Sequence, residues 1–209
     1  MSDLAPDRPA LVRRGLALNY LTLGYNAVEA VVAIAAGVIA GSVALVGFGI
    51  DSVIEVTASG AAQWRLRIDH DESRRAHVEL RTRKIIGSSF LALALYVGYE
   101  AVAALLTREE PDRSTVGLLL LTVSVIVMPW LTGQKRAVAS ALSSKALQAD
   151  ATQTALCAYL SAIALVGVGL NALLGWWWAD PVSALAMTPI MFKEGFEGLR
   201  GKDGCQDCA

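Results

Sequence analysis

The residues in this chain able to do chemistry are few, and apolar sequence surrounds them. Asp51 and Glu55 stand in Gly49-Ile50-Asp51-Ser52-Val53-Ile54-Glu55, at i and i+4. In a helix that spacing puts both carboxylates on one face, about one turn apart. Two like charges so close repel unless a cation lies between them, or unless protonation or hydrogen bonds from neighbouring helices hold the pair. A second one-sided pair follows in Asp150-Ala151-Thr152-Gln153-Thr154-Ala155-Leu156-Cys157, where Gln153 and Cys157 are again four apart. If the two segments meet, Asp51, Glu55, Gln153 and Cys157 offer the four ligand groups that a tetrahedral divalent-metal site needs. Each of the last two also has a plainer reading: Cys157 as a small buried apolar residue, Gln153 as a hydrogen bonder between helices.

Further polar residues lie in the same kind of surroundings. Asn19 and Asn26 are seven apart, hence on one helical face, and Glu29 follows Asn26 by three. Asn26, Glu29 and Asp150 are expected either to support ligands and carry protons or simply to hydrogen-bond between helices. Glu100, in Tyr96-Val97-Gly98-Tyr99-Glu100, falls near the end of an apolar stretch, where a structural role is expected. Two more metal candidates stand in charged sequence: His70 with His77, and the terminal Cys205-Gln206-Asp207-Cys208. For the first, the competing reading is a solvated run in which Arg74, Arg75, Arg81, Arg83 and Lys84 meet lipid headgroups. For the second it is a tail with redox-labile thiols.

The elements that must position these residues are apolar. The chain has 209 residues, 55% of them hydrophobic, and a mean hydropathy of +0.49. Charged residues make up 18% but cluster between long apolar stretches at 16–40, 42–64, 85–106, 115–133, 147–174 and 178–199. A membrane-crossing helix needs roughly 20 mostly apolar residues. The expected fold is therefore an all-α membrane protein of six transmembrane helices. Of the eighteen Lys and Arg, only Arg108 and Arg113 fall in loops opposite the N-terminus, which places both termini in the cytoplasm. Residues 1–14 are then a cytoplasmic N-terminal segment, 15–200 the six-helix membrane domain and 201–209 a short cytoplasmic tail carrying the Cys-x-x-Cys. The first segment is too long for a cleaved signal. Compact loops and the lack of a targeting peptide fit a multi-pass protein of a bacterial inner (plasma) membrane. Ala40-Gly41-Ser42 separates the first two spans as a tight hairpin; Gly37 and Gly41 either let helices approach closely or merely end the first one. Trp176-Trp177-Trp178 marks an outer interfacial belt.

Several function classes fall away. A net charge of -1 without a basic patch gives no case for nucleic acid, and there is no Gly-rich phosphate loop and no Ser/His/Asp set. An enzyme with Cys157 as nucleophile would lack a histidine within a helix to activate it. Three cysteines do not make a disulfide framework. The chain is not read as an enzyme, and no resident cofactor is expected.

Taken in order, Asn26-x-x-Glu29, Gly37, Ala40-Gly41-Ser42-Val43-Ala44-Leu45, Asp51/Glu55, Tyr99-Glu100-Ala101, Leu147-x-Ala149-Asp150 and Trp177-Trp178-Ala179-Asp180-Pro181 resemble the transmembrane domain of the cation diffusion facilitators over about residues 15–200. That resemblance implies a carrier exchanging zinc or a related divalent ion for protons, with the metal between the second and fifth helices. It implies metal export from the cytoplasm by alternating access through Asp51, Glu55 and Cys157, with Gln153 assisting. Zn2+ is the expected substrate, with Cd2+, Fe2+, Co2+ and Mn2+ as alternatives. The sequence departs from the family pattern at three points. The second-helix pair is Asp and Glu, the fifth-helix His and Asp positions hold Gln153 and Cys157, and the family's cytoplasmic domain is missing, so a homodimer would be held through membrane helices. The altered fifth helix also permits a rival reading, a membrane metal sensor or partner subunit that transports nothing.

Overall fold

A computed structural model describes residues 8–67, 72–142 and 145–200, leaving aside the side chains at 8, 61, 62, 64–67, 72–83, 145 and 146. The described chain is six helices: α1 (Arg8–Ala40), α2 (Val43–Arg67), α3 (Glu72–Thr107), α4 (Thr115–Ala141), α5 (Lys145–Leu174) and α6 (Ala179–Arg200). Each expected span is found, but three helices run beyond the apolar windows. α1 starts at Arg8, inside the segment expected to precede the membrane domain. α3 starts at Glu72, so the charge run expected to be loop is helical from that residue on. α4 continues past 133 to Ala141. The reason is local: Glu, Arg, Lys, Ala and Leu are good helix formers, and no Gly or Pro lies between Glu72 and Ile86. Hydropathy marks the part of a helix that fits lipid, and not where its hydrogen bonding stops.

Five helices are long and apolar enough to cross a membrane, over 9–40, 43–60, 84–107, 115–141 and 147–174. The sixth is a correction on apolarity: α6 has the length but carries Asp180, Lys193, Glu194, Glu197 and Arg200. Its packing nonetheless takes it through the full depth of the bundle, antiparallel to α3. Thr188 meets Gly98, and at the other end a Cβ on Gly87 would lie 2.8 Å from the Gly195 carbonyl oxygen and 3.0 Å from Leu199 N. Only glycine admits that approach of two backbones.

The helices pair as α1 with α2, α3 with α6 and α4 with α5, while α2 touches α1, α3, α5 and α6. Phe48, Leu45, Leu121, Met128, Leu131, Leu160, Met187 and Met191 fill the interior, whereas Val31, Ile39, Leu106, Leu119, Ile126 and Leu173 face outward. An apolar rim around an interior that also buries polar groups is what lipid as solvent requires. Trp176 and Trp178, stacked 5.2 Å apart between α5 and α6, are exposed on the side expected to be outer.

On that side the α1–α2 turn is built from identifiable parts. Gly41 takes φ +65°, and Ser42 N donates to Gly37 O at 2.9 Å, so the two glycines do different work. Gly41 turns the chain, and Gly37 lets α2 close on α1, where a Cβ would meet Val46 at 2.8 Å. The start of α2 is then capped from α6. Asp180, 1% exposed, accepts from Ser42 Oγ, from Val43 N at 3.0 Å and from Ala44 N at 3.4 Å. A carboxylate there satisfies backbone donors that a helix start leaves unpaired. Replacing Asp180 by Ala is expected to lower stability by about 1.5–3 kcal/mol, and Asp180→Asn by less, read as the shift in thermal unfolding of the detergent-solubilised protein.

Candidate functional site

α2 turns one polar stripe inward: Asp51, Ser52, Glu55, Ser59 and Gln63 are all buried. Asp51 and Glu55 are each 2% exposed, and among the described residues neither oxygen of Glu55 has a hydrogen-bonding partner. The spacing at i, i+4 predicts the shared face, and the low exposure of both shows that this face looks into the bundle.

α5 presents its own stripe, and its phase differs from the sequence expectation. Asp150, Thr154, Cys157 and Ser161 are buried, whereas Gln153 is only half-buried. Positions 150, 154, 157 and 161 follow the i, i+4, i+7, i+11 repeat of one helical face, and Gln153 lies about 100° around from Thr154. The structure thus brings Cys157 among Asp51, Glu55 and Glu29 and leaves Gln153 at the edge of the stripe. The pair Gln153/Cys157, read from spacing alone, is correct in spacing but does not face inward as a unit.

α1 contributes more than its sequence signal suggests. Glu29 is 1% exposed. Ser52 Oγ donates to its Oε2 at 2.8 Å, Ser124 Oγ donates to its Oε1, and the Cys157 thiol points at Oε2 from 3.8 Å. The Tyr25 hydroxyl lies 2.9 Å from Ser124 Oγ. Four helices meet at this carboxylate. One turn earlier Asn26 is fully buried with neither amide atom partnered, and Asn19 Nδ2 donates to Ser59 O at 3.2 Å.

Toward the side expected to be cytoplasmic the structure shows an ion pair that the sequence reading misses. Lys135 Nζ stands 2.8 Å from Asp150 Oδ2, both side chains only 2% exposed, and donates to Thr154 Oγ1 at 2.9 Å. Ser59 Oγ donates to Asp150 Oδ1 at 3.1 Å, which joins α2 to the pair. The charge pattern places Lys135 among the basic residues of a loop expected to be cytoplasmic; it is a buried residue of α4, within electrostatic reach of Glu55. A signal was available. Leu121, Ser124, Met128, Leu131 and Lys135 form one buried stripe at helical spacing, but the apolar window closes at the first charges and hides it.

Among the described residues no three His, Cys, Asp or Glu side chains converge closely enough to hold a metal ion. Asp51, Glu55, Glu29 and Cys157 are neighbours rather than a closed shell. Of the cytoplasmic candidates, His70, Cys205 and Cys208 lie outside the described residues, and His77 lies in α3 with its side chain outside them.

Comparison with known proteins bears on what such an interior does. Residues 20–201 match the cation efflux transmembrane domain family. An uncharacterized transporter of Synechocystis sp. is 27% identical over 186 residues, covering 82% of this chain and 58% of the relative. The magnetosome protein MamB of Magnetospirillum gryphiswaldense is 28% identical over 172 residues, 79% of this chain and 57% of the relative. The cation-efflux pump FieF of Shewanella oneidensis is 27% identical over 132 residues, 63% and 42% respectively. The chain spans about half the length of the curated relatives it matches.

The ion pair has a measurable signature. Lys135→Met strands the Asp150 carboxylate in the interior and is expected to cost about 3–5 kcal/mol of stability. The double variant Lys135→Met/Asp150→Asn removes both charges and is expected to regain most of that loss. Thermal unfolding of the three proteins in detergent checks both outcomes.

Proposed function

The chain belongs to the cation efflux family, and we propose that it carries a divalent metal cation out of the cytoplasm, in exchange for protons, through the interior between α2 and α5. The observation that carries this reading is the pair Asp51 and Glu55, buried on one face of a membrane-spanning helix and turned toward Cys157. At 1.5 Å of rise per residue, the two lie about 12 and 18 Å along α2 from its start at Val43, well inside the hydrocarbon. An ionisable side chain at that depth costs roughly 2.5–3.5 kcal/mol on insertion scales. Glu55, whose oxygens have no hydrogen-bonding partner among the described residues, is suited to a passing cation.

The ligands in this proposal are Asp51, Glu55 and Cys157; Gln153, the fourth group that the sequence offers, stands at the edge of the α5 stripe and is left out of the set. Two hard oxygens and one soft sulfur favour zinc, with cadmium next; iron(II), cobalt and manganese follow, and magnesium is least suited. Carboxylates and a thiol bind metal only when deprotonated, so metal and protons compete for the same atoms. Each cation that binds from the cytoplasm releases protons, and each return of protons from outside displaces the cation. An inward proton gradient therefore drives export.

One rival has an observation in its favour. With Gln153 at the edge of the stripe and no three ligand groups converged, the protein would serve as a membrane metal sensor or partner subunit that binds without transporting. Proteoliposomes separate the two. Zinc flux that depends on a pH gradient and is abolished by Asp51→Ala and by Cys157→Ala is the expected outcome. Flux undiminished in Cys157→Ala would move the site off α5, and no flux of zinc, cadmium, manganese or iron(II) would leave the sensor reading.

A further inference from the structure

Taking the transport reading as its premise, we infer that Glu29 of α1 is a ligand of the transported cation and takes the place that the sequence pattern gives to Gln153. The metal would then be held by three helices, with Asp51 and Glu55 from α2, Cys157 from α5 and Glu29 from α1.

Geometry carries this assignment. In a tetrahedral zinc site with a metal–sulfur bond near 2.3 Å and a metal–oxygen bond near 2.1 Å, the sulfur and oxygen lie about 3.6 Å apart. Glu29 Oε2 and Cys157 Sγ are 3.8 Å apart. Depth agrees as well. Counted back from Ala40, Glu29 lies about 17 Å along α1 from the α1–α2 turn, between the levels of Asp51 and Glu55 on α2 by the same rise. Its carboxylate is oriented by hydroxyls from two further helices, Ser52 and Ser124, with Tyr25 behind Ser124. That support is of the kind metal-ligating carboxylates receive. Both oxygens keep lone pairs beyond the ones these hydroxyls use.

Two independent observations point to the same place. Glu55 is nine-tenths buried and more, with neither oxygen hydrogen-bonded among the described residues, and it faces the same Cys157. Gln153, by contrast, is half-buried and off the inward stripe. Bringing it into line with Cys157 would require turning α5 by about 40°, which would shift Asp150 relative to Lys135 and Cys157 relative to α2. Glu29 needs no such rotation. The substitution also changes the chemistry of the site: a third anionic oxygen replaces a neutral amide oxygen, so the cation is held more tightly and exchanges with more protons.

The test uses cobalt(II) as probe, because a thiolate bound to cobalt gives a charge-transfer band that reports sulfur in the shell. The purified full chain in detergent is titrated as wild type and as Glu29→Gln, Glu29→Cys, Gln153→Ala and Asp51→Asn. Glu29→Gln is expected to weaken binding by more than about tenfold, while Gln153→Ala leaves it unchanged. Glu29→Cys is expected to keep binding and strengthen the sulfur band, because a second thiolate enters the shell. That gain is something a merely structural Glu29 could not produce, and it decides the matter even if Glu29→Gln fails to fold. Wild-type affinity in Glu29→Gln, or an unchanged band in Glu29→Cys, overturns the assignment while binding lost in Asp51→Asn keeps the α2 site. Wild-type protein that binds cobalt through Glu29 yet moves no metal in proteoliposomes would sink transport and leave the ligand standing. No binding by the wild type would overturn both.

Discussion

Carboxylates buried in a bundle whose solvent is lipid govern the rest of this structure. Asp51 and Glu55 cannot face hydrocarbon, so α2 must turn them inward, where α1 and α5 answer with polar side chains. The result is a polar interior inside an apolar rim. Ser52, Ser59, Ser124, Thr154 and Ser161 are buried alongside the charged groups, and hydroxyls suit this setting because each can donate to a carboxylate or back-bond within its own helix. Ser52 does both, lying 2.8 Å from Glu29 and 3.2 Å from Phe48 O. Helix phase is thus set by where charge may go, more than by how well apolar side chains interlock.

The same constraint explains why the helices come so close. Short hydroxyls reach a partner only across a narrow gap, and glycines supply that gap. A Cβ at Gly49 would lie 2.9 Å from the backbone nitrogen of Ile34, which holds α1 against α2 within reach of the Ser52–Glu29 hydrogen bond. Here the glycine and the serine, three residues apart on α2, act as one device: the first permits the approach and the second uses it.

Much of this was legible in the sequence, and the parts that were not share a cause. Long apolar runs give the helices, and the i, i+4 spacing of Asp51 and Glu55 gives their common face. What such patterns cannot supply is rotation about an axis. Spacing makes Gln153 and Cys157 a pair but cannot say whether position 153 or 154 looks inward; that is settled by the tertiary pairing of Asp150 with Lys135. Lys135 itself is obscured because an apolar window treats any lysine as an exit from the membrane, whereas a long stem and a buried carboxylate partner keep this one inside. Glu29 was seen as an interior residue, but its place beside Cys157 depends on how α1 crosses α5, a long-range matter on which local sequence is silent. The start of α3 at Glu72 was missed for the opposite reason: helix propensity continues where hydropathy has already ended.

The distribution of satisfied and unsatisfied groups then has a meaning of its own. At one end Asp180 ties α6 to the start of α2, and at the other Lys135, Asp150, Thr154, Ser59 and Asn19 tie α4, α5, α2 and α1 together. Among the described residues the polar atoms with no partner include both oxygens of Glu55 and both amide atoms of Asn26, which fall between the two clamps, as well as Asn19 Oδ1 and Gln63 Nε2, which do not. Buried polar atoms left unpaired cost about 1–3 kcal/mol each, so a fold that tolerates that cost at Glu55 and Asn26 is not arranged for stability alone. The middle is where α2, α5 and α1 approach one another with oxygen and sulfur, and a group bound there would convert the structure's largest local cost into its strongest local interaction.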